Sequence, residues 1–462
     1  MSAVPRLVPL GISTDSVQPP KSIEATGLPV PVVIDLVLKH LQRGGDTSIA
    51  ELGAQLALPL PMLERLLVFL RDERFVEVPR RGSFDADVRY ALTEAGRMRA
   101  DEAQRRNQYV GPAPVALSDY VARVERQQFT GRYGCGARIT PERVEEALAS
   151  LVLAPELIAT LGAALNSQRP LFLYGASGTG KTWLAEHLVD VVDGAIWVPH
   201  AIEVDGEIIQ VFDPAVHRRI DIAADGESLD RSRQPDGRWV LCRRPVVKLG
   251  GEMTLAMMDL ERDPITRFYK APAQLRANNG LLVFDDLGRQ RNSAHQILNR
   301  WIVPLDRRVD YLSLHTGTSF QVPFDVQVIF SSNLSPASLD DPAFVRRLGY
   351  KVRLDAMDEV SYRRVFRQAC ERAGVAHDES AVDCLVNELH ARSGMPLLPA
   401  WPLDLVLKVR DRATYEGVEP RLTSQAMRWA WKLYFAAETG EEGCHPTAVH
   451  TMDTQGITGG TK

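Results

Sequence analysis

Leu171-Phe-Leu-Tyr174-Gly175-Ala-Ser-Gly-Thr-Gly180-Lys181-Thr182 is the stretch on which the reading of this 462-residue chain turns. Four apolar residues predict a buried strand, a glycine-rich turn follows at once, and Trp183–Val191 continues as a helix. The pattern is G-x-x-x-x-G-K-T in the strand–loop–helix setting that gives it meaning. Glycines let the backbone curl until successive N–H groups face one point, and the helix N-terminus adds the positive end of its dipole. That point suits a phosphate. Gly175, Ala176, Ser177, Gly178, Thr179 and Gly180 are the expected cradle, Lys181 the group that reaches the β- and γ-phosphates, and Thr182 the hydroxyl that ligates Mg²⁺. A glycine turn that binds nothing would not need every fixed position of the motif.

Binding alone is not hydrolysis, so a second constellation is needed. About a hundred residues on, Leu281-Leu-Val-Phe284-Asp285-Asp286 reads as an apolar strand ending in two carboxylates. On its own it is an ordinary buried strand with acidic residues capping the next turn. Beside a phosphate loop, Asp285 falls where a water-mediated magnesium ligand belongs, and Asp286 where a base polarises an attacking water.

Composition narrows the class. Hydrophobic residues make up 45% and charged residues 24%, the balance of a globular chain whose length suggests several domains. Lys+Arg 54 against Asp+Glu 59 leaves a net charge of −5, so the chain as a whole carries no polybasic footprint. Its longest apolar runs, such as Pro29–Leu38, fall short of the ~20 residues of a spanning helix, and the start lacks a signal peptide's apolar core. Five scattered cysteines (Cys135, Cys242, Cys370, Cys384, Cys444) form no CxxC pair, which suits reduced thiols and argues against a zinc ribbon. Cys444, His445 and His450, in the terminal stretch, are too loosely spaced to read as a metal site. A cytoplasmic protein is the expectation.

With these motifs in this order, residues 140–437 resemble an AAA+ ATPase, which implies an α/β phosphate-loop core with a parallel sheet over 140–355 and an all-helical lid over 356–437. The strand Val326–Phe330 ends in Ser331-Ser332-Asn333 and is similar to the sensor-1 strand, whose Asn helps orient the water against the γ-phosphate. Asp341-Pro-Ala-Phe344-Val-Arg346-Arg347-Leu348 resembles the arginine-finger segment, which implies that Arg346 and Arg347 face the γ-phosphate of a neighbouring subunit. The resemblance implies ATP and Mg²⁺ as ligands and a homo-oligomeric, hexamer-like ring. Val309–His315 and Phe320–Pro323 flank Thr316-Gly317 as a hairpin before sensor 1, similar to the branch that holds the MoxR-type ATPases. Ala195–Pro199 is taken as the second strand of the sheet, followed by an insertion with a hairpin around Gln234-Pro-Asp-Gly237. In that branch such inserts contact the client. Two departures stand out. Asp286 occupies a place usually held by Glu, which allows slow turnover. Leu403 stands where the sensor-2 Arg is expected, with Arg392, Lys408 and Arg410 as unresolved substitutes.

Upstream, residues 1–28 read as a flexible leader, 29–106 as a domain, 107–139 as a linker with the Pro-rich hinge Gly111-Pro-Ala-Pro114, and 438–462 as a flexible tail. Three helices are predicted within 31–71, with a Ser48/Glu51 capping box on the second, then two strands around Arg80-Arg81-Gly82-Ser83 and a helix from Thr93. This resembles an α+β winged helix. Such domains suggest DNA by analogy, yet over 30–106 twelve basic side chains are matched by twelve acidic ones, and a neutral domain gains little from phosphate neutralisation. The third helix, Pro61–Arg71, offers mostly apolar side chains with only Arg65 and Arg71, so a protein client is favoured over DNA. Three functions remain in play: an ATPase remodelling a protein client, a DNA-associated ATPase, and a nucleotide-gated scaffold with little turnover.

Overall fold

Strands such as Leu171–Leu173 and Leu281–Phe284 carry no polar side chain on either face, so both faces must be covered, as they are in a parallel sheet between helices. The computed structural model describes residues 16–80, 88–128, 139–192, 194–221, 235–288, 290–339 and 341–435. Outside the described residues lie most of the leader, the Arg81-Gly82-Ser83 turn, part of the linker with Cys135, Gln234, and the tail with Cys444, His445 and His450. Contacts divide the chain into two units, at Asp355 and Ala356.

The first unit holds the core sheet. Its strands are β1 (Leu171–Tyr174), β2 (Val246–Leu249), β3 (Gly280–Phe284), β4 (Val326–Ser332) and β5 (Tyr350–Arg353), in spatial order β5-β1-β4-β3-β2. All neighbours are parallel, with Phe284 opposite Phe330 and Ser332 opposite Tyr174. Helix Lys181–Val191 packs on one face, where Leu184, Ala185 and Leu188 meet Leu173 and Val283. Helix Ala294–Arg307 covers the other. Its Trp301 is 1% exposed and meets Phe284 edge-on at 5.0 Å, as Phe330 meets Phe344 at 5.4 Å. This is an α/β core, a parallel five-stranded sheet covered by helices on both faces.

The strand expected second in the sheet is not there. Ala195–Pro199 pairs antiparallel with Trp239–Arg243 instead, apart from the core sheet, and β2 is Val246–Leu249. The apolar run with the look of a core strand is buried by its own long-range partner, which pattern alone cannot distinguish from burial in the sheet. The hairpin expected around Gln234–Gly237 falls partly outside the described residues; on either side of it Arg219 and Cys242 bridge antiparallel, with the Ile220 N–H donating to the Leu241 carbonyl at 2.8 Å, while Trp239–Arg243 pairs on its other edge with Ala195–Pro199.

A second five-stranded sheet joins Glu261–Arg262, Tyr269–Lys270, Glu207–Gln210, Ala201–Val204 and Val115–Ala116, in that order. Its last strand comes from the expected linker, which continues as helix Leu117–Arg126. The Pro-rich stretch is packed rather than loose. Ala113 is fully buried, its N–H donates to the Leu56 carbonyl at 2.8 Å, and the Gly111 carbonyl meets His40 Nε2 at 3.0 Å. Part of the leader is also ordered: Val17 is buried and accepts from the Asp236 N–H at 2.8 Å. Proline and serine content suggests freedom; tertiary contacts remove it.

Residues 30–106 form helices Val30–Gly44, Ile49–Leu56, Leu60–Asp72 and Glu94–Arg106 with a three-stranded antiparallel sheet, Thr47–Ser48 beside Arg89–Leu92 beside Val76–Arg80. The Ser48/Glu51 capping box is present. The second unit is helical, built on Glu359–Ala373, Trp401–Glu416 and Ser424–Tyr434, with a π-helical turn at Cys384–His390. Tyr362, Phe366, Leu405 and Met427 are fully buried at its centre. Among the described residues no single helix is long and apolar enough to cross a membrane.

Candidate functional site

In an open parallel sheet, ligands gather beyond the carboxyl ends of the strands. The ends of β1, β3 and β4 carry three of the motifs found in the sequence. β1 runs into the glycine loop, β3 into Asp285-Asp286, and β4 into Asn333, which is exposed.

The loop needs its glycines for different reasons. Gly178 and Gly180 hold φ of +83° and +86°, the left-handed region where other residues are strained. Gly175 has φ +149°, and a Cβ there would stand 2.2 Å from the Leu354 carbonyl oxygen at the end of β5. Helix Lys181–Val191 begins directly at Gly180, so its unpaired N–H groups face the loop. Thr179 closes the curl by donating to the Ala176 carbonyl at 3.0 Å.

Lys181 is 6% exposed and folds back, its Nζ donating to the carbonyls of Gly175 (3.0 Å) and Ala176 (2.8 Å). Burial pushes its ammonium below the ordinary lysine value, against the opposing pull of Asp286 and Asp285. Thr182 Oγ1 donates to Asp285, at 2.9 Å from Oδ1 and 3.0 Å from Oδ2. Two residues far apart in sequence thus place a hydroxyl and a carboxylate together beside the phosphate cradle. Hard oxygens of this kind fit Mg²⁺, which would take Thr182 directly and Asp285 through water. No cluster of three or more His, Cys, Asp or Glu side chains among the described residues could hold an ion. A magnesium here would therefore need phosphate oxygens and waters to complete its octahedron.

Further contacts that the motifs did not reveal hold the acidic turn. The Asp285 N–H donates to the Leu249 carbonyl at 2.8 Å, which ties β3 to β2. The Gln290 amide donates to the carbonyls of both Asp285 and Asp286 at 3.2 Å. Asp286 sits at φ +52°, so the chain turns sharply just where the second carboxylate is displayed. Lys248 on β2 pairs with Glu186 of the loop helix. No sequence signal marks Gln290 or Lys248 for these tasks.

Arg346 and Arg347 follow a short helix, Pro342–Val345, capped by Asp341. Their environments differ. Arg346 is exposed, whereas Arg347 is bound to Asp306 at 2.7 Å, not to the neighbouring Asp341 that sequence proximity suggests. In the helical unit Leu403 packs against the core, Lys408 lies 5.6 Å from the Tyr434 ring centre, and Arg410 stands beside Asp411 at 3.4 Å. Arg392 is exposed.

A family model described as a domain of unknown function (DUF8689) matches residues 358–433, within the helical unit. No curated protein matches the sequence. Solved structures similar to the chain include the RuvB Holliday junction branch migration motor of Thermotoga maritima, 13% identical over 64% of this chain and 70% of that one, with a TM-score of 0.34. Domain III of the Thermotoga maritima replication initiation protein DnaA is 14% identical over 64% of this chain and 99% of that one, with a TM-score of 0.35.

Proposed function

We propose that this chain is an AAA+ ATPase, cytoplasmic, that assembles as a ring of identical subunits and couples binding and hydrolysis of ATP to remodelling of a protein client. The observation that carries the reading is the meeting of Thr182 with Asp285 at 2.9 and 3.0 Å beside a complete phosphate loop. A loop alone supports binding, whereas a carboxylate set against the loop's own hydroxyl supports metal-assisted phosphoryl transfer. In this reading the backbone of Gly175–Gly180 holds the β-phosphate, and Lys181 exchanges its two loop carbonyls for phosphate oxygens. Asp286 polarises the attacking water and Asn333 orients it. Aspartate is one methylene shorter than glutamate, so the water must sit closer and turnover is slow. Mg²⁺, when bound, neutralises charge on the β- and γ-oxygens.

Residues 29–106 serve in this reading as a winged-helix adaptor for protein, 140–355 as the ATPase core and 356–437 as its lid. Two features support protein over DNA: the balanced charge of the domain, and the outward face of helix Leu60–Asp72, where Val68 is 48% and Phe69 46% exposed. Calorimetry tests the core claim. Lys181→Ala should weaken ATP binding by roughly 2 kcal/mol or more, because a charge-assisted contact to phosphate is lost. Unchanged affinity would remove the assignment. Asp286→Asn should bind ATP, fail to turn it over and retain the client for capture.

A further inference from the structure

A cavity of about 340 Å³ opens beside the second sheet, and no residue of the phosphate loop or the acidic turn lines it, nor does Asn333. Its volume lies at the low end of small-ligand clefts, roughly 300–1,000 Å³. Strands Glu207–Gln210 and Tyr269–Lys270 run parallel and end together at it. Gln210 stands opposite Lys270, and Lys270 opposite Glu261 of the antiparallel neighbour. Residues paired in register point to one face, so an amide, an ammonium and a carboxylate form a row along this wall. Beyond the row the two segments part. One donates from the Val211 and Phe212 N–H groups to the His200 carbonyl, and the other enters helix Ala273–Arg276.

Another wall is an ion pair held in place by a buried ring. Arg276 Nη1 donates to Asp213 Oδ2 at 2.7 Å, and Asp213 Oδ1 accepts from the Ala215 N–H at 2.9 Å. His217, 2% exposed, touches both partners. Its Nδ1 accepts from the Asp213 N–H at 2.9 Å, so Nε2 carries the proton and donates to the Arg276 carbonyl at 3.0 Å. Burial also pushes the imidazole below its ordinary value, which favours that neutral form. Arg276 itself is only half used. Its Nε is buried without a hydrogen-bond partner, and among the described residues Nη2 has none either. A planar fork with one nitrogen on Asp213 and an unbonded Nε–Nη2 edge is suited to a carboxylate, which takes two parallel N–H donors.

We propose that this cavity binds a small monocarboxylate with an apolar body, at a site separate from the nucleotide. Arg276 takes the acid, Gln210 and Lys270 are the further donors of the lining, and Phe212, Met257 and Pro272 flank the body. Charge selects a ligand with one negative group. Asp213, Asp259 and Glu261 outnumber Lys270 and Arg276 on the lining, so a phosphate or a dicarboxylate meets repulsion. Asp259 is bound by Arg300 at 3.4 Å, whereas no ion pair or hydrogen bond holds the Glu261 side chain among the described residues. Glu261 is therefore the group that an ammonium on the ligand would meet.

The probes are phenylacetate and phenylalanine, added to the full-length protein in ligand-observed NMR and calorimetry. Both carry one carboxylate on a benzyl body, and phenylalanine adds an ammonium. At least one should bind with a Kd of about 1 mM or tighter. Arg276→Lys keeps a cation for Asp213 but loses the fork, and should raise Kd about tenfold. Met257→Trp, at a residue 42% exposed, should fill the cavity mouth without disturbing the fold and raise Kd as well. Glu261→Gln separates free amino acids from simple acids: it should weaken phenylalanine alone if the site reads the ammonium, and spare both probes if it reads only the acid. Lys181→Ala should bind the probes as wild type does. Binding of neither probe to wild type at about 10 mM would overturn the site. So would an unchanged Kd in either Arg276→Lys or Met257→Trp with a wild-type melting temperature, or loss of binding in Lys181→Ala, which would move the probes to the phosphate loop.

Discussion

At the scale of single residues, the site depends on backbone freedom and on burial of a few titratable groups. Gly175 illustrates the first. A methyl there would strike the Leu354 carbonyl, and φ +149° is closed to other residues, so Gly175→Ala should abolish ATP binding and lower the melting temperature. Calorimetry and thermal unfolding read the two effects separately. His390 illustrates the second. It is 4% exposed, shares a hydrogen bond with the Tyr362 hydroxyl at 3.2 Å, meets the Met395 carbonyl at 3.1 Å and stacks on Trp401. Burial holds its imidazole below the ordinary value, with the Met395 carbonyl opposing. The folded state thus prefers the neutral ring, and the unfolded state takes up the proton first as pH falls. Stability from this group is fully present above the unfolded value of about 6.5 and is lost as pH drops through the folded one. Exchange protection of residues 384–395 should therefore fall as pH drops below about 6.5, after correction for intrinsic rates. His390→Gln should flatten that dependence; an equal fall in the variant would dismiss the histidine as its source.

At the scale of elements, helix Ala294–Arg307 and the hairpin after it share one buried charge. Removing Arg300, itself partly exposed, leaves the buried Asp310 carboxylate without its cation, a loss of at most about 3–5 kcal/mol. Arg300→Met should show that loss in urea unfolding, and Arg300→Met with Asp310→Asn should recover part of it. A single variant as stable as wild type would show that Gln274 and the Tyr311 N–H satisfy Asp310 unaided. Local pattern predicts these elements well, because capping boxes, glycine stops and apolar periods are short-range signals. Ser48, Ser293 and Gly44-Gly45 each mark a helix end close to where it falls. Partner choice is a different matter. Ala195–Pro199 has the composition of a core strand, and only the chain returning at Trp239–Arg243 decides which sheet it joins.

At the scale of the first unit, the N-terminal helices and the second sheet share a core. That core includes Ala201 and Ile208 of the second sheet, with Phe268 packed against it at 5.6 Å from Tyr109. The C-terminal end of helix Glu94–Arg106 is held by Arg262, which donates to the Arg106 carbonyl, and by Arg267, which donates to that of Arg105. Residues 29–106 and 201–270 should therefore unfold together in urea. An early, separate transition of the N-terminal helices, followed by exchange of residues 30–106, would disprove a shared core. The same packing bears on the proposed adaptor: the exposed Val68 and Phe69 belong to a body continuous with the second sheet.

Short runs of sequence suffice for the phosphate loop, the acidic strand end and the helical C-terminal unit. Each is written in contiguous residues whose spacing has a local physical meaning: glycines for positive φ, an apolar run for a strand covered on both faces, a helix start after Lys-Thr. Three outcomes belong to the tertiary structure alone: which strand stands second in the sheet, that a proline-rich stretch is packed, and which of two neighbouring arginines faces outward. They rest on Trp239–Arg243 reaching Ala195–Pro199, on Leu56 reaching Ala113, and on Asp306 reaching Arg347. Contacts between residues far apart in the chain leave no period in the sequence, because what selects them is the burial and pairing available once the elements have met.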